Sequence, residues 1–161
     1  MSRLITCFGL LLCLLSLGLA QKKARTPTAS EQANAAWPAF LKSFREAVKR
    51  RDKAALKRMM VRDFFFSNGS DENNDGDTRD EAFKFMADPE VKGWQALDKV
   101  LSKGVVAASP EPNAQGKTYP RRVAPPEAKR IKSLENAPPW IASFEFRNGQ
   151  WYFTMLSECC D

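Results

Sequence analysis

The densest run of oxygen ligands in the chain is Asp71-x-Asn73-x-Asp75-Gly76-Asp77. Alternate side-chain oxygens followed by a glycine that permits a sharp turn are the opening of a calcium loop, because Ca²⁺ collects several hard oxygens. The pattern breaks at loop position twelve, where a bidentate glutamate belongs: Ala82 stands there, and Glu81 lies one place early. Glu81 is also the third helical position after Thr78, where it would serve a capping box instead. Asp71, Asn73, Asp75, Asp77 and Glu81 are thus the candidate ligands for calcium on a partial motif, and the broken pattern makes no bound cofactor the leading expectation. A polar Asn/Asp/Gly loop also forms without metal.

Acid–base chemistry has one candidate, Asp63, at the mouth of the apolar run Phe64-Phe65-Phe66. Burial among these rings would raise its pKa and suit it to proton transfer. It has no visible partner, and the chain contains no histidine, so a surface residue or turn cap at the helix–strand junction is the alternative reading. Cys7 and Cys13 fall in the first 20 residues, which leaves Cys159 and Cys160 as an adjacent pair. Neighbouring cysteines can form a vicinal disulfide or link two chains.

These groups need elements to hold them. Trp37, Phe40, Leu41, Phe44, Ala47 and Val48 recur at helical spacing, with Pro38 expected in the first turn. Asp52 reads as the N-cap of a short helix bearing Ala55, Leu56, Met59 and Met60. A strand at 63–66 precedes a polar loop, and Thr78 opens a helix carrying Ala82, Phe83 and Met86. Asp88-Pro89 ends that helix. Val91, Trp94, Leu97, Val100 and Leu101 line the next, which Gly104 stops. Strands are expected at 105–108 and 117–123, then a proline-bounded connection from Pro125 to Pro139. Asn148-Gly149 marks a hairpin whose two-residue turn sets the register. Phe146 then faces Trp151, Phe144 faces Phe153 and Ala142 faces Met155 on an apolar side. Glu145 faces Tyr152 and Ser143 faces Thr154 on a polar one.

The order of elements with Asp52-x-x-Ala55-Leu56-x-x-Met59-Met60, Asp63-Phe64-Phe65-Phe66 and Arg79-x-x-Ala82-Phe83 resembles the opening of SnoaL-like domains, of the nuclear-transport-factor-2-like superfamily. The run from Phe144 to Trp151 is similar to that superfamily's closing hairpin, with its Phe-x-x-x-x-Gly-x-Trp pattern. The resemblance covers most of residues 36–157. It implies an α+β fold, N-terminal helices packed on a curved antiparallel sheet that forms a cone. The family includes isomerases, dehydratases, cyclases, ligand binders and association modules that pair through the sheet, so fold alone assigns no activity. The absence of histidine, and of any acid on the hairpin's apolar face, departs from its enzymes. Non-catalytic binding of a small apolar molecule or a partner protein is the leading expectation, with an isomerase- or dehydratase-type enzyme and an envelope-associated interaction module, held by its basic faces and C-terminal cysteines, as the alternatives. Trp37, Phe40, Phe44, Phe83, Trp94, Phe144, Phe146, Trp151 and Phe153 are the candidates to line such a pocket, or else to fill the core.

Arg3, an apolar run from Leu4 to about Leu17 and the small-x-small Gly18-Leu19-Ala20 read as an export signal cleaved near Ala20. The run is shorter than the roughly 20 residues that span a bilayer. A flexible leader over 21–32, one domain over 33–158 and a Cys-Cys tail over 159–161 are expected. The roughly 140 residues left suffice for one core. Lysine and arginine outnumber acids 25 to 19, a net charge of +6. For an exported protein this favours an anionic envelope surface over nucleic acid. A homodimer through the sheet or the cysteine tail is the other partner expected. Asn68-Gly69-Ser70 is a glycosylation acceptor pattern.

Overall fold

The computed structural model describes residues 25–67, 79–112, 116–130 and 138–158. The expected export signal, Asp71, Asn73, Asp75, Asp77, Thr78, the Asn68 acceptor pattern, Cys159 and Cys160 lie outside these residues.

Helix α1 spans Ala29–Lys49. It starts earlier than the expected leader allows, because Thr28-x-x-Glu31 is a capping box. The Thr28 hydroxyl accepts from the Glu31 amide, and the Glu31 carboxylate accepts from the Thr28 amide at 2.6 Å. Pro38 therefore lies inside the helix and not in its first turn; it cannot supply an amide hydrogen there. Trp37, Phe44, Ala47 and Val48 are buried on one face. Arg51 turns the chain with φ 53°, and Asp52 caps α2, Lys53–Met59, by accepting from the Ala55 amide at 2.9 Å. Strand β1, Met60–Ser67, follows without a break.

Helices α3, Arg79–Ala87, and α4, Gly93–Ser102, sit so close that a Cβ on Gly93 would lie 2.7 Å from the Met86 Cα. Only glycine fits at that crossing. Arg45 of α1 donates to the Leu101 carbonyl at 2.7 Å, placing a cation at the negative end of α4. Strands β2, Val106–Ala108, and β3, Arg121–Ala124, come next. A 3₁₀ turn at Pro126–Arg130 opens the proline-bounded connection. Strands β4, Trp140–Arg147, and β5, Gln150–Glu158, close the fold.

The five strands form one sheet in the order β1-β5-β4-β3-β2. The fold is α+β, with α1 against β5, α3 against β1 and α4 against β4. The sheet is mixed: β1 runs parallel to β5, and the other pairs are antiparallel. The hairpin turns at Asn148 (φ 51°) and Gly149 (φ 83°), as a type I′ turn needs. Phe146 pairs with Trp151, Glu145 with Tyr152 and Phe144 with Phe153. Beyond these the register slips, so Ser143 pairs with Met155 and Ala142 with Leu156. A bulge near Thr154 replaces the expected pairs Ser143–Thr154 and Ala142–Met155. It swings Leu156, fully buried, onto the core face and leaves Met155 half-exposed. The Thr154 hydroxyl donates to the Ser143 carbonyl at 3.1 Å across the irregularity.

The hairpin's aromatic side lies on the helices. Phe44 meets Phe144 and Phe153 edge-on at 5.1 and 5.0 Å, and Trp37 meets Phe144 and Trp151 at 5.4 and 4.7 Å. Edge-to-face pairs of this kind add about 0.5–1.5 kcal/mol each beyond the area they bury. The Trp151 indole N–H donates to the Ala33 carbonyl at 2.7 Å, tying β5 to α1.

Candidate functional site

Two clefts on this scaffold gather polar side chains, and each is headed by an arginine. The first is fixed by the β3 register. Arg122 stands opposite Phe144, so strand alternation turns it toward the helix side of the sheet, whereas Arg121, opposite Glu145, turns away. Arg121 is ion-paired with Glu111 and donates to the Ser143 hydroxyl at 3.3 Å. Arg122 meets α1 and β5. Its guanidinium lies 4.9 Å from the Trp37 ring centre and 5.8 Å from that of Trp151, and it donates to the Asn34 side-chain oxygen at 2.9 Å. Asn34 and Trp37 are one helical turn apart, so both reach the same strand residue. Arg122 has no ion pair among the described residues. Partial burial without a counter-charge pushes its guanidinium below the usual arginine value.

The cleft that Arg122 heads has a volume of about 510 Å³. Ala33, Ala107, Ala108, Pro110, Pro120 and the Trp151 ring supply small and apolar walls; Tyr119 and Thr118 supply hydroxyls. Its described lining holds no carboxylate or thiol, and the chain has no imidazole. Glu31 is held in the capping box, and the Thr28 amide and hydroxyl that hydrogen-bond its carboxylate keep it below its usual pKa. Arg122 is thus the group there able to recognise an anion.

The second cleft, about 660 Å³, opens between α2, β1, the start of α3 and the hairpin turn. Lys57, Arg58, Arg62, Arg79 and Arg147 line it together with Asp63. Arg147 donates through Nε to Glu145 at 2.8 Å and through Nη1 to both Asp63 oxygens at 3.1 and 3.2 Å, and its guanidinium sits 5.2 Å from the Tyr119 ring centre. Burial opposes the Arg147 charge, but the hydrogen bond and charge of Glu145, with Asp63, outweigh it. The guanidinium is held above its usual value.

The sequence-derived candidates fare unevenly. Asp63 is not buried among the phenylalanines: its side chain is 54% exposed and engaged by Arg147. Of the nine aromatic candidates, Phe44, Phe83, Trp94, Phe144, Phe146 and Phe153 are buried in the core, and Phe83 stacks on Trp94 at 6.2 Å. Trp151 lines the Arg122 cleft, Phe40 lines a smaller cleft of about 250 Å³ beside Met59 and Gln150, and Trp37 reaches the Arg122 cleft through Arg122 itself. Glu81 lies in the first turn of α3. Among the described residues no cluster of His, Cys, Asp or Glu could hold a metal, and no buried side-chain polar atom lacks a partner. Arg122 was missed as a site residue. Its signal is an arginine in the short strand Arg121-Arg122-Val123-Ala124, which reads as one of a basic pair until the pairing with β4 is known.

No family model matches the chain, and no curated protein matches it in sequence. Its likeness to solved structures is one of fold, mostly to NTF2-like proteins. An NTF2-like protein of unknown function from Silicibacter pomeroyi shares 14% identity, over 81% of this chain and 97% of that one, with a TM-score of 0.36. A candidate calcium/calmodulin-dependent kinase II association domain from Exiguobacterium sibiricum shares 12%, over 85% and 98%, with a TM-score of 0.44. A candidate polyketide cyclase from Streptomyces antibioticus shares 14%, over 75% and 89%, with a TM-score of 0.30.

Proposed function

We propose that this chain is a non-catalytic binding domain, working outside the cytoplasm after loss of residues 1–20, that takes a small carboxylate with a flat apolar body in the Arg122 cleft. One observation carries the reading. Arg122 is a part-buried cation lying over two indoles, and it has no ion pair among the described residues. An unpaired guanidinium loses solvation on folding, and an incoming carboxylate restores the missing charge. The indole of Trp151 and the alanine and proline walls then accept an apolar body. The isomerase or dehydratase alternative needs a proton carrier. In the described lining the sole titratable group besides the arginines is Tyr119, which favours binding over catalysis.

Calorimetric titration of the full chain with 1-naphthoate tests the reading, with naphthalene as the uncharged control. Naphthoate should bind at least about tenfold more tightly, and Arg122→Ala should erase the difference. Equal affinity for the two, or no heat from naphthoate at millimolar concentration, removes the proposal. Loss of the leader is checked separately, by N-terminal sequencing of the protein from its producing cell. The expected first residue is Gln21.

A further inference from the structure

The second cleft is a different site with a different ligand chemistry. We propose that it binds phosphate groups, with Arg58 and Arg62 as the primary donors and Asp63 as a built-in competitor for the same position. The cations do not come from one charged run on one helix face. Lys57 and Arg58 come from α2, Arg62 from β1, Arg79 from α3 and Arg147 from β4, and all converge on one concavity. Lys57 is neutralised by Asp80 at 2.6 Å, whose carboxyl that hydrogen bond holds below its usual value. Arg147 is held by Glu145 and Asp63. Arg58 and Arg62 are exposed and have no ion pair among the described residues. Several cations facing one carboxylate match a multiply charged anion better than a single carboxylate. Met60 and Val61, both buried, give the cleft a low-dielectric floor, which strengthens the field above it.

Arg147 is also preorganised. Glu145, its side chain 15% exposed, grips the Nε edge from behind and leaves the outer edge toward the cleft. Asp63 now occupies that outer edge. Its two oxygens sit where anionic oxygens of a ligand would sit, and its exposure lets it swing away. A phosphate entering the cleft exchanges one charge-assisted contact for another, while Glu145 keeps the guanidinium in place.

The test uses the full chain at fixed ionic strength with two probes: inorganic pyrophosphate by calorimetry, and sedimentation with phosphatidylglycerol vesicles against phosphatidylcholine vesicles. A response to pyrophosphate assigns the site to soluble phosphates. A response to phosphatidylglycerol alone assigns it to a lipid headgroup. With whichever probe binds, Arg58→Ala/Arg62→Ala should weaken binding by about tenfold or more, with an unchanged thermal midpoint because both side chains are exposed. Asp63→Asn should strengthen it by about threefold, since the competitor loses its charge. Lys49→Ala/Arg50→Ala, on exposed cations outside the cleft, should leave it unchanged. Silence from both probes, a weaker Asp63→Asn variant, or equal loss in the two double variants overturns the proposal.

Discussion

Arg122 and Arg147 present the same chemistry under opposite conditions. Each is partly buried, each lies near an aromatic ring, and each projects from a sheet strand into a cleft. Arg147 is bracketed by two carboxylates and its charge is reinforced. Arg122 has only an amide oxygen and two indole faces, and burial pushes its guanidinium below the usual arginine value. The difference teaches that partial burial of a cation does not by itself mark a binding group. What separates an arginine that must first give up an internal anion from one already open to a ligand is whether the fold has supplied the anion.

The comparison can be broken at several levels. Phe144 is fully buried in the aromatic core and stands opposite Arg122, so Phe144→Ala should cost about 3–5 kcal/mol in urea denaturation and disturb the Arg122 cleft more than the Arg147 one. Arg147→Ala should cost about 2 kcal/mol, because Glu145 is left largely buried without its counter-charge. Thr28→Ala should cost about 1 kcal/mol through loss of the α1 cap. Glu31 is held below its ordinary value by Thr28. Its contribution is therefore present above the usual carboxylate pKa and is lost as pH falls through the lowered one. The penalty of Thr28→Ala, measured in urea melts down a pH series, should shrink over that window. Arg122→Ala should change stability least, by no more than about 1 kcal/mol, because losing the ring contacts is offset by relief of an unpaired charge. If Arg122→Ala proves as costly as Arg147→Ala in the same melts, Arg122 is structural and the contrast fails.

Local signals were readable where they were self-contained. Asn148-Gly149 fixes the turn and the first four hairpin pairs, and Asp52 and Gly104 mark helix boundaries without help from the rest of the chain. The bulge at Thr154 left no such mark. Met155 and Leu156 are both apolar, so either register buries a hydrophobic residue, and only packing chooses Leu156. Thr28-x-x-Glu31 is a readable capping box, but Pro27 and the polar stretch before it argue for a leader. The candidate sites were harder. Placing Arg122 requires the pairing with Phe144, and placing Asp63 requires Arg147, 84 positions away. Composition and spacing carry neither contact.

The parallel pairing of β1 with β5 bears on how the protein is made. On the ribosome, Phe64 and Phe66 emerge about ninety residues before Leu156, the opposite number of Phe66 in the ladder. Until β5 arrives, the earlier strand is an oily, unpaired edge in the nascent chain, able to recruit wrong partners. Productive closure waits until β5 has been made, which makes synthesis rate and holdase chaperones the natural determinants of yield.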